Sequence, residues 1–435
     1  MPLNSPILRL ASVLIVVVTC ISHAAGAPLE PVWSMVQKEK PRVLDTMKEL
    51  VAIESGSSDI EGLDKIAGVI AGRLKALGAK VEMIEPGPEI YKMFDTPGKI
   101  GKMVKAIFTG KGTKKILLLA HMDTVYPFGM LSKQPFRIEE DRAYGLGIAD
   151  DKHGIAVILH ALAILKAMGH ADYGTLTVLI NGDEEVSSPG SRFLITELGA
   201  QHDAVLSFEG GGSPKVDQIR LATSGIAAAT IRVQGRASHA GAAPEQGVNA
   251  LYELAHQILQ ARDLSQPEVG LKVNWTLARA GIVRNMIPPE AQTQADIRVD
   301  RVSDYDGVEE KLRERIQNRL LPDSKVELVF ERRRPPLQAT EASRALGAHA
   351  AAIYENELGL KLIVRDRPTG GGTDAAFASL KTKAPVVEGF GLRGFGSHST
   401  NAEYILISSI EPRLYLAVRM IMDIGQGKAP LADKQ

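Results

Sequence analysis

At 435 residues the chain exceeds one ordinary hydrophobic core, so two or three domains are expected. Hydrophobic residues at 45% and charged residues at 23% give the balance of a soluble globular protein. Lys plus Arg and Asp plus Glu both total 51, which removes any global field to recruit nucleic acid or an acidic membrane.

The N-terminus differs from the rest. Arg9 precedes LASVLIVVV, an apolar run too short to span a bilayer comfortably, and the small residues of SHAAGAP follow. Residues 1–26 are read as a secretory signal peptide cut between Ala24 and Ala27, which places the protein in the periplasm or outside the cell. An uncleaved anchor is the alternative, and Val-Val-Thr before Cys20 is a poor context for lipid attachment. Cleavage removes Cys20, the single cysteine, so any metal must then be held by carboxylate oxygen and imidazole nitrogen.

VWSMVQKEKPRVLDTMKELVAI and LDKIAGVIAGRLKALGA have apolar residues at helical spacing, the second running up to Gly78. KKILLLA, TLTVLI and DAVLSF read as buried strands separated by the helical run IAVILHALAILKAMG. Together they predict an α/β domain with a mostly parallel sheet covered by helices. From about Ser224, IAAATIRVQG, VNALYELAHQILQA, LKVNWTLARAGIVRN with AQTQADIRVD, YDGVEEKLRERIQNRL and SKVELVFE follow the order βαββαβ. That order is ferredoxin-like, and Pro335-Pro336 closes it. SRALGAHAAAIYENEL resumes the first pattern. The expected organisation is 27–223 and 337–425 as one domain, 224–336 inserted into it, and 426–435 as a flexible tail.

Three predicted strands run into ionisable residues: KKILLLA into His121 and Asp123, TLTVLIN into Asp183-Glu184-Glu185, and DAVLSF into Glu209. In an open parallel sheet, sites form outside the carboxyl ends of the strands. Asp150 and Asp151 add carboxylates where GLGIADDKHG turns into a helix. Each signal alone describes a solvated loop, but carboxylates converging on one crevice repel one another and call for a cation. Imidazole plus carboxylate without sulfur suits zinc, cobalt or manganese better than calcium or magnesium. Two such ions clamp both oxygens of a tetrahedral intermediate, and zinc lowers the pKa of its water to roughly 7. A carboxylate beside that water but off the metal serves as the base, and adjacent Glu184 and Glu185 point in different directions.

LLLAHMDTVYP, DRAYGLGIADDKHG, NGDEEVSSPGSR, SFEGGG, GRASHAGAAPEQGVNA, TGGGTDAA and GFGSHSTNAEY together resemble the aminoacylase and glutamate-carboxypeptidase family of two-zinc exopeptidases, over roughly residues 40 to 425. Within it the motifs are most similar to the bacterial folate-hydrolysing glutamate carboxypeptidase branch. The resemblance implies two Zn2+ per subunit, with Co2+ or Mn2+ as substitutes. It puts His121 and Glu209 on one ion, Glu185 and His398 on the other, and Asp150 between them. Glu184 is then the general base, and Asp123 orients His121. Asp151 is taken as a helix N-terminal carboxylate, and His153 and His160 as surface or packing residues.

The same resemblance makes the inserted domain a dimerisation or lid domain, through which a homodimer forms. His239 in ASHAG and Asn285 in VRNMIPP then reach the partner's site to stabilise an oxyanion. A substrate ending in glutamate carries two carboxylates, which Arg grips better than Lys. Arg298 matches the family position for the terminal carboxylate, and Arg334 is a second candidate. Gly370, Gly371 and Gly372 would let backbone approach the ligand. One departure stands out: where close relatives carry Lys then Ser before TSG, this chain has Gln218 and Arg220, so the cationic position has moved by two residues along one strand face.

The expected activity is hydrolysis of an amide bond that releases a C-terminal amino acid, glutamate first, from an acyl-glutamate or folate-like donor. An N-acyl amino acid deacylase with the same metals is the alternative within this class. An exported, multi-domain chain is also compatible with a periplasmic binding protein or a metal-binding scaffold, neither of which has use for Glu184.

Overall fold

The computed structural model describes residues 26–399 and 402–432. The body of the expected signal peptide, with Cys20, lies outside the described residues. Among the described residues no helix is long and apolar enough to cross a membrane.

A nine-stranded sheet organises the chain. Its path runs Lys80–Ile84, Met103–Thr109, Thr175–Asn181, Lys115–His121, Ala204–Ser207, Val386–Glu388, Val216–Arg220 and Leu362–Arg365, with Gly212–Ser213 beside Val216–Arg220. The four central strands, from Thr175–Asn181 to Val386–Glu388, are mutually parallel, and antiparallel pairs flank them. Alternation along the central strands splits the core. Ile116 and Leu118 face one apolar cluster with the helices Val32–Val51, His153–Ala167 and Ile410–Gly425. Leu117 and Leu119 face another, with the helix Arg192–Gln201 and residues 375–378. Burial on both faces explains why these strands read as unbroken apolar runs.

The helix Ile60–Leu77 starts where the Asp59 carboxylate accepts from Gly62 N at 3.0 Å. It stops at Gly78, whose φ of 105° suits a residue without Cβ. The edge strand Lys80–Ile84 and its neighbour Met103–Thr109 are not among the elements the sequence predicts. Their mixed polar and apolar residues carry no clear alternation of two.

A second sheet has the order Lys272–Ala280, Glu290–Val299, Gly225–Gln234, Lys325–Arg334, antiparallel throughout. The helices Ala250–Gln260 and Ser303–Arg315 complete the element order βαββαβ. It has its own core, which includes Ala227, Ile231, Leu254, Ile297 and Leu312. The segment from residue 426, expected to fray, is instead held where it is described. Lys428 N and Ala429 N donate to Asp423 O, and Ala429 is buried.

Candidate metal centre

Each strand of the central trio ends beside one carboxylate-rich crevice. His121 is the last residue of its strand, 2% exposed, with Nε2 3.0 Å from Asp150 Oδ1. His398 reaches the same carboxylate from the other side, Nε2 lying 3.2 Å from Asp150 Oδ2 and 3.1 Å from Glu185 Oε2. Asp150 therefore shows one oxygen to each imidazole. The donor atoms of Asp150, Glu185 and His398 lie within 4.8 Å of one another. Glu184, Glu185, Glu209, Asp150 and His398 line one cavity of about 640 Å³.

The elements explain these positions. Glu184 and Glu185 sit on a single helical turn just after Thr175–Asn181, and Glu209 two residues after Ala204–Ser207. His398 lies on the loop between the short strands Gly394–Phe395 and Tyr404–Leu406, with φ 63°, a left-handed conformation that a non-glycine residue holds at some strain. Glu403 fixes the loop that carries Asp150, accepting from Ala149 N at 2.7 Å, Gly147 N at 3.1 Å and the Tyr126 hydroxyl at 2.5 Å.

Asp123 is fully buried and does several things at once. Its Oδ1 is 3.3 Å from His121 Nδ1 and accepts from Glu184 N at 3.0 Å. Its Oδ2 accepts from Glu185 N at 3.0 Å and Ser57 Oγ at 2.8 Å. One carboxylate thus aims the imidazole and anchors the glutamate pair.

Crowding leaves its mark on proton affinity. Burial pushes Glu184 up to about 8, against the pull of Arg334. Burial and the charge of Asp150 push Glu185 up to about 7. Burial, Glu388 and Glu184 hold Glu209 well above the ordinary carboxylate range. Burial works against ionisation of Asp150 too, yet hydrogen bonds from His121 and His398 hold it well below that range. His398 is raised to about 10 by Asp150 and Glu185. This is a set of carboxylates and imidazoles sharing protons where positive charge is in demand.

Arg334, the second candidate fork for a substrate carboxylate, lines the cavity but is 3% exposed and engaged by the protein itself. Nη1 pairs with Glu184 and lies 3.2 Å from Asp374 Oδ1, and Nη2 donates to Glu184 O at 2.6 Å. A Cβ at Gly372 would lie 2.7 Å from Arg334 Cδ, so the glycine makes room for that arginine, and it also lines the cavity. Gly371 has open space at the same test and lines the cavity. Arg298 lines it as well, its fork held by Asp296 at 2.8 and 2.9 Å and by Gly370 O at 3.0 Å. Arg220 also lines this cavity.

His239 and Asn285 are not brought to this crevice within one chain. Both are exposed on the second sheet's loops, where Ala240 N donates to Asn285 O. His239 Nδ1 accepts from Gly241 N at 3.1 Å and Ala242 N at 3.0 Å, which leaves Nε2 to carry the proton of a neutral ring. Asp151 precedes the helix His153–Ala167 as expected but is fully buried, and burial holds its carboxyl well above the ordinary range. His153 and His160 are buried packing residues; His160 bonds Thr46 and Glu39. Sequence reasoning did not assign Asp374 or Glu403. TGGGTDAA and GFGSHSTNAEY contain them, but nothing local distinguishes an anchoring carboxylate from a solvated one.

Comparison with known proteins identifies the family. Residues 117–423 match peptidase family M20/M25/M40. The chain is 46% identical over 390 residues to carboxypeptidase G2 of Pseudomonas sp. (strain RS-16), covering 90% of this chain and 91% of that protein. It is 33% identical over 240 residues to acetylornithine deacetylase of Klebsiella pneumoniae (strain 342), covering 52% and 57%. The fold superposes on a tripeptidase from Staphylococcus aureus with a TM-score of 0.73 at 21% identity, covering 89% of this chain and 99% of that one. A dinuclear metal-binding M20 peptidase from Bacillus subtilis gives a TM-score of 0.61 at 16% identity, covering 88% and 98%. A family match across most of the chain, joined to 46% identity over nine-tenths of it, makes this protein a hydrolase of peptidase family M20/M25/M40.

Proposed function

We propose that the protein is an exported zinc carboxypeptidase that hydrolyses an amide bond to release a C-terminal amino acid, glutamate first, from acyl-glutamate or folate-like donors. The observation that carries the metal reading is Asp150, whose two oxygens face His121 and His398 separately. The donor set fits zinc: carboxylates and imidazoles without thiolate, in a crevice whose carboxylates have raised proton affinity. His121 and Glu209 would hold one ion, Glu185 and His398 the other, and Asp150 both. When bound, the ions supply Lewis acidity and an acidified water at neutral pH.

The residues do the rest. Glu184 takes a proton from the attacking water on a carboxylate oxygen and returns it to the leaving nitrogen. Arg334 and Asp123 keep that carboxylate aimed. Arg298, with Arg220, offers positive charge to the substrate's carboxylates. Asn285 and His239, whose Nε2–H is free to donate, serve the oxyanion of a second copy of the chain. A homodimer is supported by the exposed strand Lys272–Ala280 at a sheet edge and by exposed Leu251, Tyr252, Leu259 and Leu277 beside it.

The test is a panel of folate-like, acyl-glutamate, dipeptide and acetyl-amino-acid substrates on zinc-loaded protein. Release of glutamate from acyl-glutamates is expected, and none from any of them overturns the reading. The similarity to acetylornithine deacetylase favours N-acyl amino acid deacylation as the second reading, which activity confined to acetyl-amino acids would establish. Asp123→Asn is expected to cost about 10–100-fold in zinc affinity or activity, because the imidazole and the glutamate turn lose one shared anchor. Equilibrium dialysis with zinc and steady-state kinetics measure the two separately.

A further inference from the structure

Three segments that carry candidate metal ligands meet at one phenol. Tyr126 follows His121 and Asp123 on the segment that leaves the strand Lys115–His121. Its hydroxyl donates to Ser399 O at 2.8 Å, directly beside His398 in the chain, and to Glu403 Oε2 at 2.5 Å. Glu403 in turn holds the backbone before Asp150 through Gly147 N and Ala149 N.

The two imidazoles are not equally secured. His121 ends a central strand, is 2% exposed and has Asp123 beside its Nδ1. The His398 side chain is 55% exposed, and its positive φ persists only where the surroundings hold it. Some of that hold is internal to the loop. Ser399 N donates to Gly396 O at 2.8 Å, and Gly394 and Phe395 pair with Ile405 and Tyr404. Such bonds give the loop its shape but do not place it relative to Asp150 and Glu185.

Tyr126 supplies a placing contact from the central sheet. It is 7% exposed, and its backbone is packed so closely that a Cβ on Gly56 would lie 2.4 Å from Tyr126 O. Ser57 N also donates to Thr124 O at 3.1 Å. Burial and the charge of Glu403 push the phenol above its ordinary range, so it stays a donor at working pH. Loss of the hydroxyl is selective. Glu403 would keep both of its backbone donors, so the Asp150 segment stays, whereas Ser399 O loses this tie to the sheet.

We propose that the Tyr126 hydroxyl is a positioning group for one of the two ions. It holds the His398 loop in register with Asp150 and Glu185, so the ion at Glu185 and His398 depends on it and the ion at His121 and Glu209 does not. The inference rests on the two-ion reading above and adds to it what sets the affinity of one ion separately from the other.

The experiment titrates metal-free wild type, Tyr126→Phe, His398→Ala and the double variant with zinc against a chromophoric chelator, and with cobalt by visible spectrum. Tyr126→Phe keeps the buried ring, so the fold is retained. It is expected to weaken one ion about 10–100-fold, the usual size for a partner behind a metal ligand, and to leave the other at wild-type affinity. Only the cobalt band of the weakened ion should change. In the His398→Ala background Tyr126→Phe should change nothing further, because the loop then carries no ligand. Equal weakening of both ions, of neither, or additive losses in the double variant overturn the inference while leaving the two-ion reading intact. A wild type that binds a single ion overturns the two-ion reading. The inference then survives only if Tyr126→Phe weakens that ion and His398→Ala abolishes the difference. A wild type that binds none overturns both.

Discussion

Glu184→Gln is expected to lower turnover on the order of 10²–10⁴-fold, with zinc content and substrate affinity retained. The amide keeps the size and the hydrogen-bonding reach of the carboxylate but has no oxygen basic enough to hold the water's proton. Structural collapse is not the expected cause of the loss. Arg334 keeps Asp374 as an ion partner at 3.2 Å, and Glu184 N stays bonded to Asp123 through the backbone. The neighbouring carboxylate of Glu185 cannot substitute, because it lies 3.1 Å from His398 on the other side of the turn. Zinc analysis, a binding measurement with a slowly cleaved acyl-glutamate, and single-turnover kinetics separate the outcomes. An unchanged rate removes Glu184 from the role of base. Lost zinc with lost rate would make it a ligand instead.

The residues that sequence patterns found are those attached to regular elements. His121 ends a strand, while Glu184, Glu185 and Glu209 follow two others, so the rule about strand carboxyl ends reaches all four. Asp150 and Asp151 show where periodicity fails. Between Gly147 and His153 the backbone is irregular, with Asp150 at φ −158° and ψ 89° and Asp151 at φ −130° and ψ 32°. These angles turn Asp150 toward the two imidazoles and bury Asp151 completely, and no spacing rule encodes them. His398 needs the short strand pair after Val386–Glu388 to bring it back, an element too brief to announce itself.

Arg334 is ambiguous for another reason: a guanidinium suits a substrate carboxylate and a protein carboxylate equally well. Only the neighbours decide, and here they are Glu184 and Asp374. In the second sheet, by contrast, the strand Glu290–Val299 is legible because it has one buried face. Glu290–Val299 alternates exposed or half-buried with buried residues along its whole length.

Removing the metal is expected to make stability fall more steeply with rising pH than it does in the metal-loaded protein. Without cations, Glu184 and Glu185 are raised to about 8 and about 7, above the 4.5 of an ordinary glutamate. For a raised carboxyl, the folded state binds the proton more tightly than the unfolded chain does. Its contribution is present below pH 4.5 and is lost as pH rises through 7 to 8. His398 is raised from 6.5 to about 10, so its contribution is present below 6.5 and lost as pH rises toward 10. Both groups therefore act in the same direction across this window. The depressed Asp150 acts in the other direction only at pH below 3.8. A bound metal would replace the shared protons with fixed positive charge, so the benefit of loading grows with pH. Each ion at a thousandfold excess over its Kd adds roughly 4 kcal/mol. Thermal unfolding of chelator-treated and reloaded protein at pH 5.5, 7 and 9 tests this. A chelated protein equally stable at all three would mean that these carboxylates are not waiting for a cation.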